Sequence, residues 1–234
     1  MPTSLSAPTL RTVERLWQER MGAPKGALGS AGVSFVEWPG LTAAVILDIG
    51  GVLLVAGPSE AIGLLRRLAR AQLLDVEVAG SALGSLRPEL VGRALLGYAD
   101  VSTFTPVHAS YGVRQADRSS MEEVVSQCDP DDRDESGLLE MHGWFVAEEE
   151  GVPVAAAGYE EWPGGVAHCG VAVSAEHRGR GLGRSVASAA VGHALGEHEV
   201  VQWRSRDTNA VSTRLGARLG FVQLGAQVAF DLYV

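Results

Sequence analysis

The sequence predicts an α+β fold in which a mostly antiparallel sheet is flanked by helices. Two observations predict it. Short apolar runs, bounded by glycine and other turn residues, follow one another closely enough to pair as hairpins. Amphipathic stretches at helical spacing lie between them, without strict strand–helix alternation.

Residues 9–21 read as a helix with Leu10, Val13, Leu16 and Trp17 on one face. A glycine-rich loop covers 22–32, and Val33–Trp38 reads as a strand. Ala43–Asp48 and Val52–Ala56 read as a hairpin about Ile49-Gly50-Gly51. Ser59 is placed as the N-cap of an amphipathic helix running to Leu68. Leu95–Asp100 reads as the last strand of the first half, with a boundary in 101–112.

The second half opens with a strand at 113–116, a helix at 120–127 and an acidic loop at 129–136. Strands at 143–148 and 153–159 flank the turn Glu149-Glu150-Gly151. Val166–Val173 is short, apolar and preceded by glycines, so it reads as a buried strand. A helix follows, with Val186, Ala187, Ala190, Val191, Ala194 and Leu195 at helical spacing. Val200–Arg204 reads as the next strand, and Phe221 to Val234 as a closing hairpin or pair of strands. The chain is thus expected to hold an accessory α+β domain at 1–105 and a second domain at 106–234. Leu96-Gly97-Tyr98 echoes Ala157-Gly158-Tyr159, which makes the first half a candidate degenerate repeat of the second.

Composition narrows the function classes. With 28 acidic and 19 basic side chains the net charge is −9, which argues against a broad nucleic-acid surface. No apolar run approaches the roughly 20 residues that span a bilayer. The N-terminus lacks a basic stretch followed by an apolar core, so no signal peptide is expected. Cys128 and Cys169 have no metal-ligand spacing and read as free thiols of a reducing, cytoplasmic compartment. No metal site is expected.

The strongest chemical signal lies between the buried strand and the helix after it, in His177-Arg178-Gly179-Arg180-Gly181-Leu182-Gly183-Arg184. A strand–glycine turn–helix unit aims free backbone N–H groups at one point, and the helix dipole adds partial positive charge there. Glycine lets a bulky anion come close, so the loop reads as a site for a phosphorylated ligand. The dinucleotide spacing Gly-x-Gly-x-x-Gly fails, because the sixth position from Gly179 is Arg184 and from Gly181 is Val186. The P-loop fails too, since the only lysine of the chain is Lys25. What remains is Arg178-x-x-Gly181-x-Gly183.

This loop resembles the Q/R-x-x-G-x-G/A pyrophosphate loop of the GNAT acyltransferase superfamily. Asn209-x-x-Ser212-x-x-Leu215 and Arg218-Leu-Gly-Phe221 follow in the family's order, and Val113–Asp117 with Met121–Gln127 resemble its opening strand and helix. The resemblance covers about residues 110–234. It implies an N-acetyltransferase that moves an acetyl group from acetyl-CoA to a primary amine by direct attack. Its alternative is a non-catalytic acyl-CoA-binding or regulatory protein. The family pairs the pantetheine arm with its fourth strand, which maps onto Val171, Ala172 and Val173. The phosphates fall to Arg178, Gly179, Arg180, Gly181, Leu182, Gly183 and Arg184, and Asn209 and Ser212 are further cofactor contacts. The first half is left to shape the acceptor side or a homodimer contact.

The catalytic groups depart from the family's pattern. The glutamate many members carry early in the fourth strand is replaced by Ala167, with His168 beside it. Glu160, Glu161 and His168 are the candidate bases. The tyrosine often found after the position of Leu215 is Gly216 here, so the thiolate leaves unaided or takes a proton from Ser212, Tyr159 or Tyr233. Cys128–Glu135 could attract a cationic amine, though a solvated loop accounts for it as well. Leu47-Asp48-Ile49-Gly50-Gly51 resembles the opening of haloacid-dehalogenase-type phosphohydrolases, but no lysine follows it, and a hairpin turn explains the same residues.

Overall fold

A computed structural model describes residues 4–29, 32–107 and 111–233. The elements run α1 (Ala7–Arg20), β1 (Val33–Glu37), β2 (Ala43–Ile49), β3 (Val52–Gly57), α2 (Ser59–Leu65), α3 (Arg70–Leu73), α4 (Val76–Ala82) and β4 (Pro88–Ala99). They continue with β5 (Val113–Gln115), α5 (Arg118–Ser126), α6 (Pro130–Ser136), β6 (His142–Glu149), β7 (Val152–Trp162) and β8 (Val166–Val173). The chain ends with α7 (Leu182–Glu197), β9 (Val200–Arg206), α8 (Ala210–Arg218) and β10 (Val222–Leu232).

The chain forms two compact units. The first holds the segment through Thr12, Gly97–Ser205 and Ala210–Val222; the second holds Val13–Leu96, Arg206–Asn209 and the chain from Gln223 onward. The sequence places one boundary between consecutive halves at 105/106; the units interleave instead. The physical reason is β10, which pairs antiparallel with β2 from Gly225↔Ile49 to Asp231↔Ala43 and so belongs with the earlier chain. Residues 108–110, inside the expected boundary, lie outside the described residues.

In the second unit β1-β3-β2-β10 are neighbours, with β1 parallel to β3 and the other pairs antiparallel. Ile46, Leu53, Val55, Ile62, Leu65 and Phe230 fill its core. Gly50 (φ 57°) and Gly51 (φ 81°) make the β2–β3 turn that Asp48 precedes, the left-handed pair of a two-residue hairpin.

In the first unit the order is β9-β8-β7-β6-β5, antiparallel except for the parallel pair β8–β9. The mixed, mostly antiparallel sheet flanked by helices is as the sequence predicts. Both faces are covered, so its central strands are apolar on both sides. Ala155, Ala157, Ala167 and Cys169 pack under α7 through Val186, Ala187, Ala190 and Val191. Val146, Ala156 and Ala172 pack under α5 through Met121, Val124 and Val125. The small residues of β7 and α7 let helix and sheet approach closely.

Three local expectations change. The acidic stretch at 129–136 is mostly helix, α6, with Pro130 in its first turn beside Asp131 and Asp132, and left-handed Gly137 ending it. Proline there loses no needed donor, and the aspartates favour the positive helix end. Ser59 starts α2 rather than capping it; Pro58 holds the cap position with no side-chain bond. The end of the chain is one long strand, β10, not a hairpin. Gly225 within it is required for room, because a Cβ would lie 1.8 Å from the Asp48 carbonyl oxygen.

Candidate cofactor cleft and acceptor side

β8 is the axis of the site. It pairs with β9 only from Val166↔Val200 to Cys169↔Trp203, yet β8 runs on to Val173 and β9 to Arg206. Beyond Cys169 the two strands part. On its other side β8 stays paired with β7 as far as Ala155↔Val173. The Ser174 amide donates to Val154 of β7 at 3.0 Å. Backbone groups alternate along a strand, so Ala172 and Gly170 face β7 while Val171 and Val173 face the opening. Of the three residues expected to pair with a cofactor arm, Val171 and Val173 therefore present free-edge positions. Ala172 turns its amide to β7 and buries its methyl under α5.

The loop at the open end is shaped by its glycines. Gly179 (φ 78°) and Gly181 (φ 89°) are left-handed with nothing near where a Cβ would sit, so conformation is what requires them. Gly183 is required for room: its Cβ would lie 3.0 Å from Val173 Cγ2, so the first turn of α7 rests directly on β8. No side chain caps α7 at Gly181, which leaves its first-turn N–H groups to an anion.

The arginines are disposed differently from the glycines. Arg178 donates from Nε to the Val173 carbonyl at 3.2 Å and from Nη2 to Asp132 of α6 at 2.5 Å. Arg180 Nη1 sits 2.9 Å from both oxygens of Glu149, which also lies 3.0 Å from His177 Nε2. Tyr111 braces the loop through a 2.9 Å bond to the Arg180 carbonyl. Arg184 is half-buried, and its Nε has no hydrogen-bond partner.

At the closed end of β8 the candidate bases separate. Glu160 and His168 are register partners on one face. Trp162 joins them, donating from Nε1 to Glu160 Oε1 at 2.6 Å and stacking on His168 at 4.7 Å between ring centroids. Glu161 lies on the other face, 3.9 Å from both His142 Nε2 and His198 Nε2. There Tyr159 donates to Glu197 at 2.6 Å and lies 3.0 Å from His193 Nδ1.

Of the proton-donor candidates, Tyr159 and Tyr233 already donate their hydroxyl protons to carboxylates. Burial and the bond to Glu197 push the Tyr159 hydroxyl up, away from proton release. Tyr233 lies in the second unit and donates to Glu89. Ser212 accepts the Trp203 Nε1 hydrogen at 3.1 Å, and Asn209 donates its backbone N–H to the Arg206 carbonyl. Trp203 also explains Gly216: a Cβ there would lie 3.0 Å from the indole Cδ1. The indole fills the space a larger side chain would need. Burial pushes the Cys169 thiol up to about 12, and Cys128 is raised for the same reason, so neither offers a thiolate at neutral pH. Sequence reasoning missed the pairings of Asp132, Glu149 and Trp203, whose partners lie 46, 31 and 9 residues away along the chain. Among the described residues no cluster of histidine, cysteine and carboxylate is arranged to hold a metal, and no helix is long and apolar enough to cross a membrane.

Residues 110–221 match the acetyltransferase (GNAT) family, so this part of the chain is a GNAT domain. No curated protein matches the sequence. A Streptococcus suis GCN5-related N-acetyltransferase-like protein is 17% identical, with 97% of this chain and 99% of that one covered at a TM-score of 0.53. A protein of Novosphingobium aromaticivorans assigned to the GNAT family as an acetyltransferase is 20% identical, with 63% and 68% covered at a TM-score of 0.51. A Staphylococcus epidermidis protein of unknown function is 14% identical, with 68% of each chain covered at a TM-score of 0.50. These likenesses are of fold. The chain spans 63% and 57% of two further GNAT structures, from Kribbella flavida and Colwellia psychrerythraea.

Proposed function

We propose that the protein is an N-acetyltransferase that moves an acetyl group from acetyl-CoA to a primary amine. The parting of β8 from β9 beside an uncapped, glycine-led helix is the observation that carries this reading. The pantetheine arm adds to the free edge of β8 at Val171 and Val173, as an extra strand would. The phosphates take the N–H groups of Gly179–Arg184 at the start of α7. The amine nitrogen attacks the thioester carbon, the C–N bond forms, and the C–S bond breaks. The amine proton passes to the Glu160–His168 pair, and the thiolate, a weak base, leaves as such. An edge amide of β8 polarises the carbonyl oxygen. The buried thiol of Cys169 argues against an acyl-enzyme on that residue. Two buried free thiols fit a reducing, cytoplasmic setting.

A second reading is favoured by Ala167 and by the indole of Trp203 against Gly216: a protein that binds acyl-CoA without turnover. Release of free thiol from acetyl-CoA, followed against amino acids, polyamines, aminoglycosides and a peptide N-terminus, separates the two. Amine-dependent release with an acetylated product supports the transferase. Saturable binding of acetyl-CoA with no release in any mixture supports the binding protein.

A further inference from the structure

We propose that Arg178 is a latch on the cofactor cleft, held closed by Asp132, and that coenzyme A opens it by exchanging a phosphate for this carboxylate. The proposal rests on the reading of the cleft as a coenzyme A site. It starts from where the guanidinium lies. Arg178 donates to the Val173 carbonyl at 3.2 Å, and Val173 is the last residue of β8 on its free edge. The side chain therefore folds back along the strand edge that an added cofactor arm pairs with. Its other arm is neutralised by Asp132 at 2.5 Å.

Asp132 comes from a separate element. α6 is seated on β8 so closely that a Cβ on Gly170 would lie 2.1 Å from the Ser136 carbonyl oxygen. One ion pair thus ties together the end of β8, the loop and α6. Arg180 follows the same pattern with Glu149, which His177 shares. Two of the three loop arginines are balanced by carboxylates of the protein itself. The cleft in this closed form offers its backbone N–H groups without the full positive charge that the sequence implies.

Both members of the Arg178–Asp132 pair are about two-fifths exposed, 44% and 39%. Exposed pairs are weak and give way to a multiply charged phosphate. The exchange releases the Val173 carbonyl to the cofactor and frees α6 from the loop. Asp132 is then a brake on binding. A scaffold role predicts the opposite sign, because removing a scaffold loosens the loop.

The test is a calorimetric titration of coenzyme A into the full chain at fixed ionic strength. The proteins are the parent, Asp132→Asn, Arg178→Gln and the double variant, each near-isosteric or surface-exposed and checked for an unchanged thermal midpoint. Asp132→Asn binds tighter, by about 3- to 10-fold. In the Arg178→Gln background the same change brings no gain. Unchanged or weaker binding by Asp132→Asn overturns the latch in favour of a scaffold. An equal gain in both backgrounds overturns it in favour of general charge repulsion. Binding by Asp132→Asn alone, with a silent parent, upholds the latch at full strength. Silence from all four proteins removes the coenzyme A reading and the latch with it.

Discussion

The two ends of β8 are built in opposite ways. The open end presents backbone: a free strand edge at Val171 and Val173, two left-handed glycines and an uncapped helix. The closed end presents side chains from neighbouring strands, Glu160 and Trp162 from β7 against His168 from β8, and the proposed reaction uses the two differently. A backbone site is written in one contiguous run of sequence, whereas a side-chain site is assembled by register.

The largest expected effect sharpens the comparison at its hinge. Gly170→Ala forces a Cβ against the Ser136 carbonyl oxygen, a rigid backbone atom 2.1 Å away. It should destabilise the protein by about 3 kcal/mol or more, read as a drop in the denaturant midpoint. Next, Glu160→Gln should lower kcat about 100-fold while acetyl-CoA binding is unchanged, because it alters only the closed end. A parallel loss of acetyl-CoA affinity would break the separation of the two ends.

Asp100 gives a smaller, pH-dependent effect. It is buried and accepts bonds from Ser102, Thr9 and Ser6. Burial pushes its carboxyl up, but the bonds from Ser102, Thr9 and Ser6 outweigh burial and hold it well below the usual carboxylate range. Its folded-state value is thus lower than its unfolded one. The stabilisation is present above about pH 4, the unfolded value, and fades as pH falls below it. Asp100→Asn should cost about 2 kcal/mol at pH 7, and the difference from the parent should shrink progressively below pH 4. Gly181→Ala should cost about 1 kcal/mol, because an L side chain at φ 89° is strained, and should weaken acetyl-CoA binding without touching Glu160 or His168.

What was legible in the sequence follows the same division. The glycine loop, its flanking strand and helix, and the α+β order could be read because each depends on residues close in the chain. Glu160 and His168 both stand out in the sequence as candidate bases, but their pairing, and the placement of Glu161 on the opposite face, depend on the β7–β8 register. The acidic run at 129–136 reads as a solvated loop by its charge, although Pro130 and Gly137 are ordinary helix start and stop signals. The echo of Leu96-Gly97-Tyr98 in Ala157-Gly158-Tyr159 places both tyrosines in one compact unit, so it does not separate a repeat from its copy. Trp203 against Gly216 had no signal in the sequence, since nothing local says that an indole will occupy that space.

The central claim is that backbone at the free edge of β8 and at the start of α7 holds the cofactor. Amide hydrogen exchange, resolved by residue with and without acetyl-CoA, tests it most directly. Val171, Val173, Leu182 and Gly183 should exchange fast in the free protein and become protected by the cofactor, while Ala172, already bonded to β7, stays slow in both. Protection spread evenly over the sheet, or none at Val171 and Val173, would contradict the account.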